Sequence, residues 1–283
     1  MEDLTIESYD LQNETFRIRY VNEKSYTEMR STHFHDGYEL YYLLRGEKLF
    51  FVNDQLFYAG KGDLVIIHPY AAHKTSSIKE VEAERFVVHF KEEFIEKQIS
   101  MENLTLAFLK ELPYKIHCTV QEQFQIERIL NEMHKECGMK GDQYGLYIKS
   151  LLSMLLIAIH RHALHENVAQ EEMINLVDRN MLDIASYINK NHNTPLSLSS
   201  IAGEFYISPS YLSRAFKNVT GFNISKYIQL VRIREAQKLL RETNHRIIDV
   251  AELVGFSQIA HFNKVFKKIT NVSPLKYRKT GNG

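Results

Sequence analysis

Apolar and polar residues change period along this 283-residue chain. The first ninety residues alternate in short runs rich in Tyr, Phe, Val and Ile: Phe16 to Val21, Tyr38 to Leu44, Lys48 to Val52, Gln55 to Ala59, Asp63 to His68 and Arg85 to Phe90. Alternation of this kind puts successive side chains on opposite faces of a strand. Asn53-Asp54 separates two runs at hairpin spacing, and Gly46, Gly60 and Gly62 punctuate the others. The reading is a small all-β sandwich or barrel. From about Val120 the period becomes helical, with Phe124, Ile126, Ile129, Leu130 and Met133 in one stripe and Leu146, Ile148, Leu151, Leu152, Leu155, Leu156 and Ile159 in the next, broken by Gly138 and Gly141. The second of these helices is apolar over more than one stripe. It therefore needs cover from the sheet, its neighbour or another copy of itself. The polar stretch His165 to Glu172 reads as an interdomain linker.

Beyond it the apolar pattern repeats. Leu198, Ile201, Ala202 and Phe205 form a helical stripe that Ile247, Val250, Ala251 and Val254 reproduce 49 positions later. Leu212, Ala215, Phe216 and Val219 form another, reproduced by Phe262, Val265, Phe266 and Ile269 at an offset of 50. Ser197 is placed to cap the first helix, Ser208-Pro209 opens the second, and Ser257 is expected to cap its counterpart. Thr220-Gly221 and Thr270-Asn271 end both second helices on a residue tolerant of positive φ. Each unit, with its turn at Tyr206-Ile207 or Gly255-Phe256, follows the helix-turn-helix plan. A helix from about Ser225 to Glu242 joins them, about 27 Å long at 1.5 Å per residue, against about 34 Å between successive major grooves on one DNA face.

The polar faces of the two second helices carry donors, acceptors and cations of the kind that read DNA. Ser210, Tyr211, Arg214, His261, Asn263 and Lys264 are candidates for base or groove-wall contact, Lys217, Lys267 and Lys268 for phosphate, and Ser208, Ser213, Ser257 and Gln258 complete the expected DNA-binding set. Charge supports that division. The net charge of zero conceals 16 Lys and Arg against 7 Asp and Glu from Ile174 onward, and 19 against 28 before it. One half suits a polyanion and the other repels it. Cys118 and Cys137 form no CxxC pair, which suits a reducing compartment. With no signal-peptide grammar and no run of eighteen apolar residues, a cytoplasmic protein without a membrane partner is expected.

The stretch from Ile184 to Arg278, with LSLSSIAGEFYISPSYLSRAFKNVTG and IIDVAELVGFSQIAHFNKVFKKITNVSPLKYR, resembles the DNA-binding domain of the AraC/XylS family. Asn271 replaces that family's usual glycine, and Ala260-His261-Phe262 stands where many members have serine and tyrosine before the phenylalanine. These departures bear on which bases are read. The N-terminal half resembles the cupin-like sensor of many members: His33-x-His35, Glu39 and Gly46 share the spacing of the first cupin motif. Gly62-Asp63, Pro69 and His73 resemble the second, shortened between proline and histidine. In metal-dependent cupins the equivalent positions are ligands, and three imidazoles with a carboxylate suit zinc, iron or nickel. In the family's sensors such residues line an organic-ligand pocket.

The expectation is an α+β chain: residues 1–100 a cupin-like effector-binding β-barrel, 101–165 a helical dimerisation segment, 166–176 a linker, and 177–283 an all-α domain with two helix-turn-helix units. The expected function is a sequence-specific DNA-binding transcription regulator, an activator and not an enzyme, with no cofactor. A small polar effector, a sugar or its derivative, would be held by His33, His35, Glu39, Tyr41 and His73. The partners would be double-stranded operator DNA, a second copy of the chain and RNA polymerase. The alternative is a metal-binding cupin sensor or enzyme fused to a DNA-binding domain, with His33, His35, Glu39 and His73 as the metal candidates.

Overall fold

The computed structural model describes residues 4–11, 15–23, 35–77, 82–95, 108–109, 111–163 and 176–280. The N-terminal strands are β1 (Leu4–Leu11), β2 (Phe16–Glu23), β3 (Tyr38–Arg45), β4 (Lys48–Val52), β5 (Gln55–Ala59), β6 (Asp63–Ile67), β7 (His73–Ser77), β8 (Ala83–Phe90) and β9 (Lys115–His117). They form a six-stranded sheet in the order β1-β2-β8-β3-β6-β9 and a three-stranded sheet in the order β5-β4-β7. The domain is a sandwich of two sheets, not one closed barrel. The six expected strands are present. β7, with sequence HKTSS, shows no apolar alternation, which is why the pattern passed over it.

Alternation along β3 sorts its side chains between two cores. Tyr38, Leu40 and Tyr42 face helices α1 (Val120–Met139) and α2 (Tyr144–Ala163), while Tyr41 and Leu43, beside Val87 of β8, face the smaller sheet and its Phe50 and Val52. On β4, Phe50 and Val52 point inward, and Phe51 turns out to pack against the C-terminal domain. The result is four layers: helices, large sheet, small sheet and helical domain. Thr119 caps α1 in a reciprocal capping box with Glu122, and Lys140 ends it at φ 51°. Cys118 and Cys137 are buried and unbridged. The expected linker falls outside the described residues, apart from Leu176, which opens the next helix.

The C-terminal domain comprises α3 (Leu176–Lys190), α4 (Leu198–Glu204), α5 (Pro209–Thr220), α6 (Ile224–Glu242), α7 (Ile247–Leu253), α8 (Ile259–Thr270) and α9 (Pro274–Thr280). The helix α6 belongs to two cores. Ile224, Tyr227, Ile228, Leu230 and Val231 pack with the first unit's Ile201, Leu212 and Phe216, whereas Ile233, Ala236 and Leu240 pack with the second unit's Val250, Phe262 and Phe266. A fully buried side chain of this size contributes about 1.5–3 kcal/mol, so each unit draws part of its core stability from its half of the rod. At 19 residues α6 is about 28 Å long.

Local chemistry repeats with the fold. Ser197 and Ser208 accept bonds from the N–H groups of Ser200 and Tyr211, Pro209 follows the second cap, and Gly221 and Asn271 close α5 and α8 at φ 78° and 62°. Thr220 donates to the Phe216 carbonyl and Thr270 to that of Phe266. One expected cap fails. Gln258, not Ser257, is the N-cap of α8, and its side chain makes no capping bond. The change of offset from 49 to 50 explains this: the second turn holds one more residue, which moves Ser257 out of the capping position. That turn also needs its glycine. Gly255 has φ +89°, and a Cβ there would lie 2.6 Å from the His192 carbonyl oxygen. Arg232 braces the same junction, donating to the carbonyls of His192 and Thr194.

Candidate nucleic-acid interface and sensor site

The apolar stripes of α5 and α8 are buried in their two cores, which turns the opposite faces outward. On α5 and its cap, Ser208, Ser210, Tyr211, Arg214 and Lys217 are exposed, and Ser213 is half-buried. In the second unit Ser257, Gln258, His261, Asn263, Lys264, Lys267 and Lys268 are all exposed. His261 rests edge-on against Phe256, with ring centroids 5.5 Å apart. Among the described residues no ion pair engages Arg214, Lys217, Lys264, Lys267 or Lys268, so their charge is available to phosphate. At the far end of α5 the sensor meets it through Lys74, whose Nζ donates to the Asn218 carbonyl at 3.0 Å.

Between the sheets lies a polar cluster around Glu39, separate from the buried ion pairs of Glu23 with Lys48 and Arg85. Glu39 on β3 and His73 on β7 are buried, and His35 precedes β3 at the edge of the sandwich. His35 Nε2 lies 3.1 Å and His73 Nε2 3.4 Å from Glu39 Oε2, while Arg19 donates to Glu39 Oε1 at 3.0 Å. The other ring nitrogens are committed: Nδ1 of His35 to the Gly37 carbonyl at 2.8 Å, and Nδ1 of His73 to that of Ala71 at 2.9 Å. Both Nε2 atoms are thereby aimed at one carboxylate. Burial by itself raises the Glu39 pKa, but the bonds from His35 and His73, and their charge, outweigh it and hold the group well below the usual carboxylate range.

The structure thus brings together three of the five expected effector residues. Tyr41 is buried two residues along β3 with its ring on Phe50, and its hydroxyl pKa is pushed up by burial and by Glu39. His33 lies outside the described residues. Sequence reasoning missed Arg19 and His89. Register places them here: His89 stands opposite Glu39 on β8, and Arg19 opposite Val87, which itself pairs with Tyr41. His89 stacks edge-on with His35, ring centroids 4.7 Å apart, and burial followed by the His35 charge lowers it to about 4. Strand pairing was the missing signal.

The donor set fits a divalent transition metal on chemical grounds. The ligand atoms of His35, Glu39 and His73 lie within 4.8 Å of one another, and backbone carbonyls fix both imidazoles through the nitrogen remote from the carboxylate. The Arg19 guanidinium on the same carboxylate opposes a cation. No helix among the described residues is long and apolar enough to cross a membrane.

Comparison with known proteins gives two family matches. Residues 19–156 match the AraC-like ligand binding domain, and residues 201–280 match a helix-turn-helix domain. The chain is 27% identical over 255 residues to the HTH-type transcriptional activator RhaR of Pectobacterium atrosepticum, covering 87% of this chain and 85% of that one. It is 39% identical over 95 residues to the bifunctional transcriptional activator/DNA repair enzyme AdaA of Bacillus subtilis, which covers 34% of this chain and only 45% of AdaA. Among solved structures, the C-terminal domain of the response regulator AraT from Geobacillus stearothermophilus is 33% identical with a TM-score of 0.36, covering 38% of this chain and 88% of that one.

Proposed function

The chain belongs to the AraC family of transcription regulators, and from that premise we propose that Arg214 and Lys264 anchor two successive major-groove contacts on one operator, while the polar cluster between the sheets receives the effector. The observation that carries the reading is the division of α5 and α8 into a buried stripe and an exposed cationic face, with both helices fixed to the single rod α6. Base readout falls to Ser208, Ser210, Tyr211, Ser213, Arg214, Ser257, Gln258, His261, Asn263 and Lys264, and phosphate contact to Lys217, Lys267 and Lys268. A selection from random duplexes should yield an operator with two half-sites one helical turn apart. Recovery of a single short site bound through one unit would defeat the proposal.

The effector in this reading is a small polar molecule, a sugar or a derivative, meeting His35 at the sandwich edge with Glu39, Tyr41 and His73 behind it. The 27% identity with the transcriptional activator RhaR across most of both chains supports an activator, for which RNA polymerase is the partner and catalysis has no part in this reading. A homodimer is supported by α2, where Leu146, Met154 and Ile157 stay exposed at helical spacing.

The convergence of His35, Glu39 and His73 favours a second reading, a metal-responsive sensor. These three side chains would hold the ion, with His35 at the accessible edge. Elemental analysis of tag-free protein decides it: stoichiometric zinc, iron or nickel that His73→Ala removes supports the metal, and metal-free protein that still answers its effector rejects it.

A further inference from the structure

A cleft of about 440 Å³ lies where the sensor meets the DNA-binding domain, and its volume is in the range of about 300–1,000 Å³ usual for small-molecule sites. Its sensor wall carries Tyr38, Tyr70 and Glu92, and its other wall carries Gln237 and Arg241 from α6 with Tyr277 from α9. This is a different space from the polar cluster between the sheets.

Gln237 points to a ligand. It is 4% exposed on the rod helix, and its amide lies near the Tyr70 and Tyr277 hydroxyls, yet neither Nε2 nor Oε1 reaches hydrogen-bonding geometry with any described group. A buried amide with both ends unmet is costly unless something else fills the space. Tyr70 is the second sign. It sits at φ +62°, a conformation that bulky residues rarely adopt, held by a bond from its N–H to the His35 carbonyl at 2.8 Å. The backbone thus stores strain to present an aromatic side chain to the cleft.

The chemistry selects a class of ligand. The lining has four acidic and four basic side chains, so no net charge favours an anion or a cation. Tyr70 is the one part-exposed ring among the lining tyrosines and offers a stacking face, the Arg241 guanidinium is laid over the buried Tyr277 ring at 5.0 Å, and amide, carboxylate and guanidinium supply donors and acceptors on both walls. We propose that this interdomain cleft is a second effector site, for a neutral polyhydroxylated molecule of mono- or disaccharide size. Such a ligand touches the sensor and α6 together. It therefore favours the docked arrangement of the two domains, and through α6 and α9 it reports to the second helix-turn-helix unit. The site stands whether or not the sandwich interior binds an effector.

The test is calorimetric titration of the full chain with a panel of D-xylose, L-arabinose, D-galactose and sucrose, set beside D-galacturonate as the charged counterpart. One or more of the neutral sugars is expected to bind, with a Kd at least tenfold weaker in Gln237→Leu and in the exposed-site variant Arg241→Ala than in the parent chain. Thermal melts of the unliganded variants confirm folding. Three results overturn the proposal: no neutral sugar binding, galacturonate binding in preference, or binding that His35→Ala abolishes while both cleft variants retain it. The last would place the sugar in the sandwich and leave the reading of the polar cluster intact.

Discussion

The Tyr227 hydroxyl, at the centre of the first helix-turn-helix core, donates a 2.6 Å hydrogen bond to the main-chain carbonyl of Asn53, the hairpin residue of the sensor's smaller sheet, 174 positions earlier in the chain. Asn53 is itself fixed: its N–H and side-chain oxygen engage Ala72, and its side-chain nitrogen donates to Tyr114. Ala72 adjoins His73 of the polar cluster. One short path of bonds therefore joins the polar cluster between the sheets to α6, the rod on which α5 and α8 pack.

Tyr227→Phe should loosen this junction without unfolding either domain. It removes one buried hydrogen bond and leaves the Asn53 carbonyl unmet, a loss of about 1–3 kcal/mol from domain docking. Limited proteolysis between the domains should accelerate in the variant. Equal cleavage rates would show that the contact carries no docking energy.

The interface with DNA is open to a salt titration. Arg214→Ala or Lys264→Ala should weaken operator binding by about 1–3 kcal/mol, whereas Lys268→Ala should weaken it evenly across sequences and reduce the salt slope by about 1. Fluorescence anisotropy at several salt concentrations separates these outcomes. Binding indifferent to salt in the parent protein would count against a phosphate-tracking domain.

Gly255→Ala should be disruptive although the residue lies on the surface of a turn. The position combines φ +89° with a clash against the His192 carbonyl, and backbone strain of this kind costs about 1–3 kcal/mol before the clash is counted. The two units would shift relative to each other, so affinity for an operator with both half-sites should fall more than for a single half-site. Tyr206, the counterpart in the first turn, sits at φ 55° and is exposed, so Tyr206→Gly should be tolerated or mildly stabilising in a thermal melt.

Acid should weaken the sensor through Glu23. Burial raises this carboxyl, but bonds and charge from Arg85 and Lys48 prevail and lower it to about 2 from 4.5. Because the folded value is the lower one, the stabilisation is complete above about pH 4.5 and is lost as pH falls toward about 2, amounting to about 3 kcal/mol at most. Chemical denaturation of the parent and Glu23→Gln should give stability curves that converge as the pH falls below 4.5. Parallel curves would remove Glu23 from the acid response.

Much of this molecule was legible in its residues because the decisive signals are local. The stripes of α4, α5, α7 and α8, the caps at Ser197 and Ser208, and the positive-φ stops at Gly221 and Asn271 each depend on neighbours within one or two helical turns. Ser257 shows the limit even there, since one inserted residue shifted the cap. The motif spacing of His35 and Glu39 was likewise visible, because both lie on one short segment.

What the chain alone could not yield depends on pairing between distant segments. Arg19 and His89 reach Glu39 only through the register of β2, β8 and β3, and the apolar run of β3 does not reveal which strands flank it. The split into two sheets, the docking of Phe51 and Asn53 on Tyr227, and the cleft around Gln237 follow from how the layers stack. Amino-acid order sets which side chains share a face of a helix or strand, because backbone geometry fixes that period. Which faces then meet is decided by the burial available to the whole chain, and only the folded molecule settles it.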